Sequence, residues 1–429
     1  MRPPLRCGRR RAGLKLMWVK RLPNNSGSGY RCELDEQPHV AHVTSNGLNE
    51  RKNKPEEAMS DQKLQPHAQQ RVGLSRRHLV GAAAVGLAIA AFPAGTLPSI
   101  AATSSSQLET EEFRLPWSEP GVDIYVRNKR PAGIQQFPAD RILLYVHGAT
   151  YPASTALDLP LSGMSAMDYL AGLGFDVYLV DLPGYGLSGR PAAMSAPAAD
   201  NAPFMRTPDA AKVVGQVVDF ITKRRGVEKI DLMGWSWGTS TMGLYTSTHN
   251  EKVNRLVLYA PQWLSRTPSL IGGEGPLGAY RSVSRDSAKD RWLKGVAQDK
   301  QADLIPQGWF EQWADATFAT DADGAKLSPP VLRAPNGIVA DSKEYWQSGK
   351  PQYDPGDIRV PVLVIHAEWD ADLPSYQAQE YFTKLTHTPY KRFVELGEGT
   401  HTVMMEKNRM QFLHAVGAFL TEADPQALD

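Results

Sequence analysis

The chain has 429 residues, 42% of them hydrophobic, and its 47 Lys and Arg nearly balance its 46 Asp and Glu. The balance hides a division, because residues 1–102 carry 16 basic and 7 acidic side chains while residues 103–429 carry 31 and 39. An acidic body without a basic stripe excludes the phosphate neutralisation on which nucleic-acid binding rests, and with Cys7 and Cys32 both in the first segment the body has no internal disulfide, thiol nucleophile or thiolate metal site.

Residues 1–74 are polar, punctuated by Pro and Gly, and lack steady periodicity, so no packed fold is expected there. Residues 75–102 open with Ser75-Arg76-Arg77-His78-Leu79-Val80, continue as the Ala and Gly-rich run Gly81–Phe92 and reach small residues at Ile100-Ala101-Ala102. This stretch resembles a twin-arginine signal peptide, which implies delivery of a folded precursor to the export machinery and a periplasmic or secreted location. About thirteen apolar residues before Pro93 are too few to span a bilayer core, so no permanent membrane span is expected. Such signals lie near an N-terminus, which makes Met59 the expected translation start and residues 1–58 rarely or never translated.

From Glu111 the pattern changes to short apolar runs separated by helical spacing. Phe113–Trp117 and Val122–Val126 read as a leading antiparallel hairpin. Ile142–Val146, Val177–Val180, Ile230–Met233, Leu256–Tyr259, Val362–Ile365 and Arg392–Leu396 read as strands covered on both faces. Helical spacing falls at Met164–Leu173, Asp209–Arg225, Thr239–Thr248, Ser375–Leu385 and Glu406–Leu420. The alternation predicts an α/β fold with a doubly wound, mostly parallel sheet. Its two parts are 103–261 and 358–429. Residues 262–357 interrupt it with no clear strand, and predict an inserted helical cap. Residues 190–208, rich in Pro and Ala, form a long loop at the same edge of the sheet, where they would gate entry.

The chemistry is carried by loops at strand ends. Gly234-Trp235-Ser236-Trp237-Gly238 matches G-x-S-x-G between a strand and a helix, the setting of a nucleophile elbow, so Ser236 is the candidate nucleophile. A serine nucleophile needs a base, a carboxylate to fix that base, and donors for the oxyanion. His401, in a glycine-flanked loop after the last strand, is the candidate base. After Val362–Ile365, the carboxylates Glu368, Asp370 and Asp372 compete for the third role. The backbone N–H groups of Trp237 and Ala149, the latter just after His147-Gly148, are the candidate oxyanion donors. Trp235, Trp263, Trp309 and Trp313 are candidates for a substrate pocket, although a small helical insert needs large side chains for its own core as well.

The order His147-Gly148, Asp181 to Gly189, Gly234 to Gly238, Asp370 and His401 resembles the α/β-hydrolase superfamily from about residue 112 to 421, in a serine esterase-like form with a helical cap. The resemblance implies an eight-stranded sheet, Asp370 as the acid ahead of Asp372, a structural Asp181, and a site needing neither metal nor organic cofactor. It implies hydrolysis of a small-molecule carboxylic ester through an acyl-enzyme. Lactonase, C–C bond hydrolase, cofactor-free haloperoxidase and acyltransferase chemistry share the same residues and stay open, as does an inactive ligand-binding form.

Overall fold

The structure is a computed structural model and describes residues 107–272 and 275–426. The twin-arginine stretch, both cysteines and Met59 lie outside the described residues. The strands are β1 (Leu108–Pro116), β2 (Asp123–Pro131), β3 (Ile142–Val146), β4 (Asp176–Asp181), β5 (Ile230–Trp235), β6 (Val253–Tyr259), β7 (Tyr280–Val283), β8 (Leu332–Pro335), β9 (Val362–Ala367) and β10 (Lys391–Leu396). Eight of them form one sheet in the order β1-β2-β4-β3-β5-β6-β9-β10. β2 runs antiparallel to both its neighbours, and every other neighbouring pair is parallel.

The near-continuous apolar runs follow from burial on both faces. Leu143, Tyr145, Met233, Trp235, Val257 and Tyr259 point to one core, closed by the helices Ala166–Gly172 and Arg409–Thr421. Leu144, Val146, Leu232, Leu256 and Leu258 point to the other, under Thr207–Arg225, Trp237–Thr248 and Ser375–Lys384. The direction of winding reverses at β3, whose neighbours are β4 and β5. A crevice therefore opens beyond the carboxyl ends of β3 and β5, the place where such sheets bind ligands.

Three regions depart from the sequence expectation. β1 and β2 are longer than the predicted hairpin, because glutamates and arginines alternate along this sheet edge and pair across it, with Arg130 reaching Glu111 at 2.6 Å and Glu109 at 2.8 Å. The insert between β6 and β9 is not purely helical. Besides the helices Arg285–Trp292 and Trp309–Ala319 it holds the antiparallel ribbon β7–β8, whose short sequences each contain an arginine and so show no apolar alternation. Nor is the 190–208 loop free to act as an independent gate. The Ala198 carbonyl accepts from Ala279 N at 2.8 Å, the Met194 carbonyl accepts from Arg333 at 2.7 Å, and a Cβ on Gly278 would lie 2.2 Å from Ala198 O. No helix among the described residues is long and apolar enough to cross a membrane.

One ion pair fastens a helix to the sheet. Arg225, at the end of Thr207–Arg225, holds both oxygens of the fully buried Asp176 on β4 at 2.6 and 2.8 Å, and Asn128 of β2 donates to the same carboxylate at 2.8 Å. Removing one partner leaves the other charge buried alone. Asp176→Ala should therefore lower stability by about 3–5 kcal/mol, read as a drop in the urea midpoint; a loss within about 0.5 kcal/mol would show that the pair is dispensable.

Candidate active site

β5 passes the chain to the helix Trp237–Thr248 through Ser236, whose φ of 56° and ψ of −123° are rare for a residue with a side chain. The turn is held by Ser236 N donating to Tyr259 O at 2.9 Å and by Thr239 N donating to Ser236 O at 2.8 Å. The glycines around it are dictated by crowding. A Cβ on Gly234 would stand 2.4 Å from Gly238 O, one on Gly238 would stand 2.6 Å from Val146 O, and one on Gly148 would stand 3.0 Å from Ser236 Cβ. Side chains at the first two positions would push the turn away from β3. Ser236 Oγ is left without a hydrogen-bond partner among the described residues.

His401 and Asp370 meet. His401 Nδ1 donates to Asp370 Oδ2 at 2.8 Å, while Asp370 Oδ1 accepts from the amides of Asp372 and Leu373, each at 2.9 Å. Asp372 lies on the other side of the ring, with Oδ2 3.9 Å from Nε2, and is gripped by Arg291 Nε at 2.8 and 3.0 Å. Glu368 instead accepts from Glu398 N at 2.9 Å. His401 Nε2 is buried and has no hydrogen-bond partner among the described residues. The indole of Trp235, the residue before Ser236, donates to the His401 carbonyl at 2.9 Å, and the two rings lie 5.4 Å apart. The elbow and the histidine loop are thus one packed unit.

The sequence model of the alpha/beta hydrolase fold matches residues 142–408, from β3 to beyond His401. The chain belongs to the alpha/beta hydrolase fold family. It is similar to protein ABHD8 of Bos taurus, 23% identical over 304 residues that make up 70% of this chain and 61% of the relative. Protein ABHD8 of Homo sapiens matches at the same 23% over 304 residues, with 60% of its length covered. The chain thus spans about three fifths of the length of these relatives. Among solved structures it is similar to a serine hydrolase from the bacterium Cycloclasticus zankles, at 18% identity and a TM-score of 0.49, covering 72% of this chain and 98% of that one.

In this alpha/beta hydrolase the supporting groups are as specific as the central ones. His147 donates from Nδ1 to Gly148 O at 2.7 Å and accepts Leu182 N at Nε2, 3.1 Å away, which defines a neutral ring. Burial also pushes its pKa down. Asp181 braces the neighbouring turn, accepting from Ser154 N, Ser154 Oγ and Leu187 N at 3.0, 2.7 and 2.8 Å. Trp237 begins a helix, where its N–H has no intrahelical acceptor, and its indole donates to Thr207 Oγ1 at 2.9 Å within the helix-side core. The Trp237 side chain therefore belongs to the helix-side core.

The tryptophan expectation divides in the same way. Trp263 packs against Tyr381 and Tyr353, and Trp309 lies under Arg409. Trp235 and Trp313 contact Tyr151, with ring centroids 6.2 and 4.7 Å away, and so stand behind the site. None of the four lines the cavity beside Thr150 and Tyr151. Residues that sequence reasoning missed include Tyr259 and Glu406. Tyr259 OH donates to Thr400 O at 2.9 Å and accepts Val403 N at 3.2 Å. Glu406 accepts from Thr400 N at 3.0 Å, from Thr400 Oγ1 and from Thr402 Oγ1 at 2.7 Å, bracketing His401 on both sides. Glu406 falls in the predicted last helix, which in fact starts at Arg409, so no pattern marked it as a loop residue.

Asp370, Asp372 and His401 bring one ligand atom each within 4.8 Å of one another, as a metal site would. The carboxylate oxygens are already engaged, however, by His401 Nδ1, two amides and Arg291. The arrangement instead tunes an imidazole. Burial by itself would lower the His401 pKa, but the charges of Asp370 and Asp372 and the hydrogen bond to Asp370 outweigh it and raise the value above the usual 6.5. For Asp370, burial pushes upward and is overcome by His401, His366 and the Leu373 amide, leaving the carboxyl below its usual range. Replacing Asp372 with Asn removes one of the charges favouring imidazolium. The His401 ring should then titrate at lower pH than in wild type, seen in its NMR shifts; an unmoved or raised midpoint would show that Asp372 has no hold on it.

Proposed function

We propose that the protein is a serine hydrolase that cleaves a carboxylic ester through an acyl-enzyme intermediate. Ser236 Oγ attacks the carbonyl carbon while His401 Nε2 takes its proton, and the charge developing on the carbonyl oxygen faces the N–H groups of Trp237 and Ala149. Collapse breaks the ester C–O bond, with His401 returning the proton to the leaving alcohol. Water then adds to the acyl-enzyme by the same route, releasing the carboxylic acid and restoring Ser236. Asp370 holds the ring so that Nε2 is the basic atom and stabilises the imidazolium between steps.

The observation that supports this reading best is the state of His401. Its Nδ1 is tied to a buried carboxylate, its Nε2 is buried with no partner, and its loop is clamped to the residue preceding a strained serine. An Nε2 lone pair not engaged by any donor among the described residues is free to accept a proton.

A fluorophosphonate probe should label wild type and not Ser236→Ala; a folded wild type that resists labelling rejects the proposal. On p-nitrophenyl esters, His401→Ala should cost about 10⁴-fold or more in kcat, since such groups act as a unit. Asp370→Asn should approach about 10⁴-fold while Asp372→Asn stays far milder. The reverse order would move the acid role to Asp372, and faster turnover of lactones than of open esters would replace the substrate class.

Export belongs to the same proposal, supported by Arg76-Arg77 and the weakly apolar run after them. Replacing Arg76 and Arg77 with Lys should leave the precursor inside the cell, as tested by fractionation in a host with twin-arginine machinery. Undiminished export of that variant would reject it.

A further inference from the structure

At the insert, beside the loop that carries Ala149, lies an open cavity of about 460 Å³ whose lining among the described residues includes Thr150, Tyr151, Arg281, Arg291 and Lys294 and one acidic residue, Asp290. Its cations are unequally matched. Arg291 Nε is spent on Asp372, and its Nη1 donates to Thr150 Oγ1 at 3.1 Å, while its Nη2 makes no hydrogen bond among the described residues. Arg281 has no carboxylate partner among the described residues. Its Nη2 donates to Ala149 O at 2.6 Å and Thr150 Oγ1 at 2.9 Å, its Nη1 donates to Pro335 O at 2.7 Å, and its Nε is buried with no partner.

A half-buried guanidinium satisfied only by neutral acceptors is an unbalanced charge, and such groups are retained where an anion completes them. Burial, with the nearby charge of Arg291 adding to it, pushes the Arg281 pKa down to about 10, a strain that an anion would relieve. Both arginines hold Thr150, the residue after the proposed oxyanion donor Ala149. An anion seated there adjoins the loop that carries Ala149.

We infer that the substrate is an ester bearing a free carboxylate close to its scissile carbonyl, such as a half-ester of a short dicarboxylic acid, with Arg281 and Arg291 receiving that carboxylate. The planar fork of guanidinium suits a carboxylate better than a point charge would. The inference rests on the ester-hydrolase reading above and names its substrate class.

The test compares the mono-p-nitrophenyl ester of glutaric acid with its methyl-capped neutral counterpart. Wild type should favour the anionic ester by about tenfold or more in kcat/KM, and Arg281→Met should reduce that ratio by about 10–100-fold, chiefly through KM. Whatever loss the two esters share measures damage to the loop at Ala149 and leaves the ratio untouched. A wild type that handles the neutral ester as well as the anionic one, or an Arg281→Met protein with an unchanged ratio, overturns the inference.

Binding separates this from failure of the hydrolase reading. Glutarate should bind Ser236→Ala in calorimetry and fail to bind Ser236→Ala combined with Arg281→Met, whether or not either ester is turned over. Equal binding by inorganic phosphate would reduce the site to a general anion site and overturn the carboxylate assignment. So would a gain of tenfold or more in glutarate affinity on Glu274→Gln, a residue of the insert outside the described ones, because the chain would then supply its own counter-ion.

Discussion

Backbone crowding where β5 ends is the constraint on which the rest of the site depends. The carbonyl of Val146 lies where a side chain on Gly238 would have to go, and Gly238 O lies where one on Gly234 would go. Only chains of hydrogen at those positions let the helix Trp237–Thr248 start directly against β3. The tight start forces Ser236 into positive φ, a strain of about 1–3 kcal/mol that the flanking strands must over-determine. They do so through parallel neighbours on both sides of β5 and through the bond from Ser236 N to Tyr259 O.

Tyr259 extends that control to the histidine. Its carbonyl fixes the serine amide, and its buried hydroxyl, at the end of a rigid ring, fixes Thr400 O and Val403 N on either side of His401. One residue of β6 therefore sets the spacing between two loops that are far apart in sequence. Trp235 adds a second strut from β5, and Glu406 a third from the far side of the loop. A group on a loop gains the positional precision of the sheet when its own main chain is bonded to strand residues.

This division explains what could be read from the sequence. The central strands were legible because β3, β4, β5 and β9 are buried along their whole length and so are apolar over most of it. Ser236 and His401 were legible because glycines mark the close approaches and chain order marks the loops. The acid was legible only as a choice among Glu368, Asp370 and Asp372, since spacing cannot say which carboxylate faces Nδ1; Asp370 is the one that does. The ribbon β7–β8 was not legible, because four-residue strands carrying Arg281 and Arg333 are held by backbone pairing and ion pairs such as Arg333 with Asp321 rather than by apolar alternation. The tryptophans misled for a related reason. Large aromatic side chains in a small insert serve its internal packing first, and Trp292, Trp313 and Phe310 stack on one another away from the opening.

The position of Asp372 shows why the insert matters to the chemistry beneath it. Two carboxylates flank one imidazole, Asp370 at Nδ1 and Asp372 at 3.9 Å from Nε2. Both favour the charged ring, and an imidazole held too firmly as imidazolium is a poor base. Arg291, carried by the helix Arg285–Trp292, engages both oxygens of Asp372 and acts against the charged ring. The guanidinium thus divides the charge of Asp372 between itself and His401. The same helix that roofs the cavity sets how strongly His401 below holds its proton, so changes in the insert's packing reach the histidine through one ion pair.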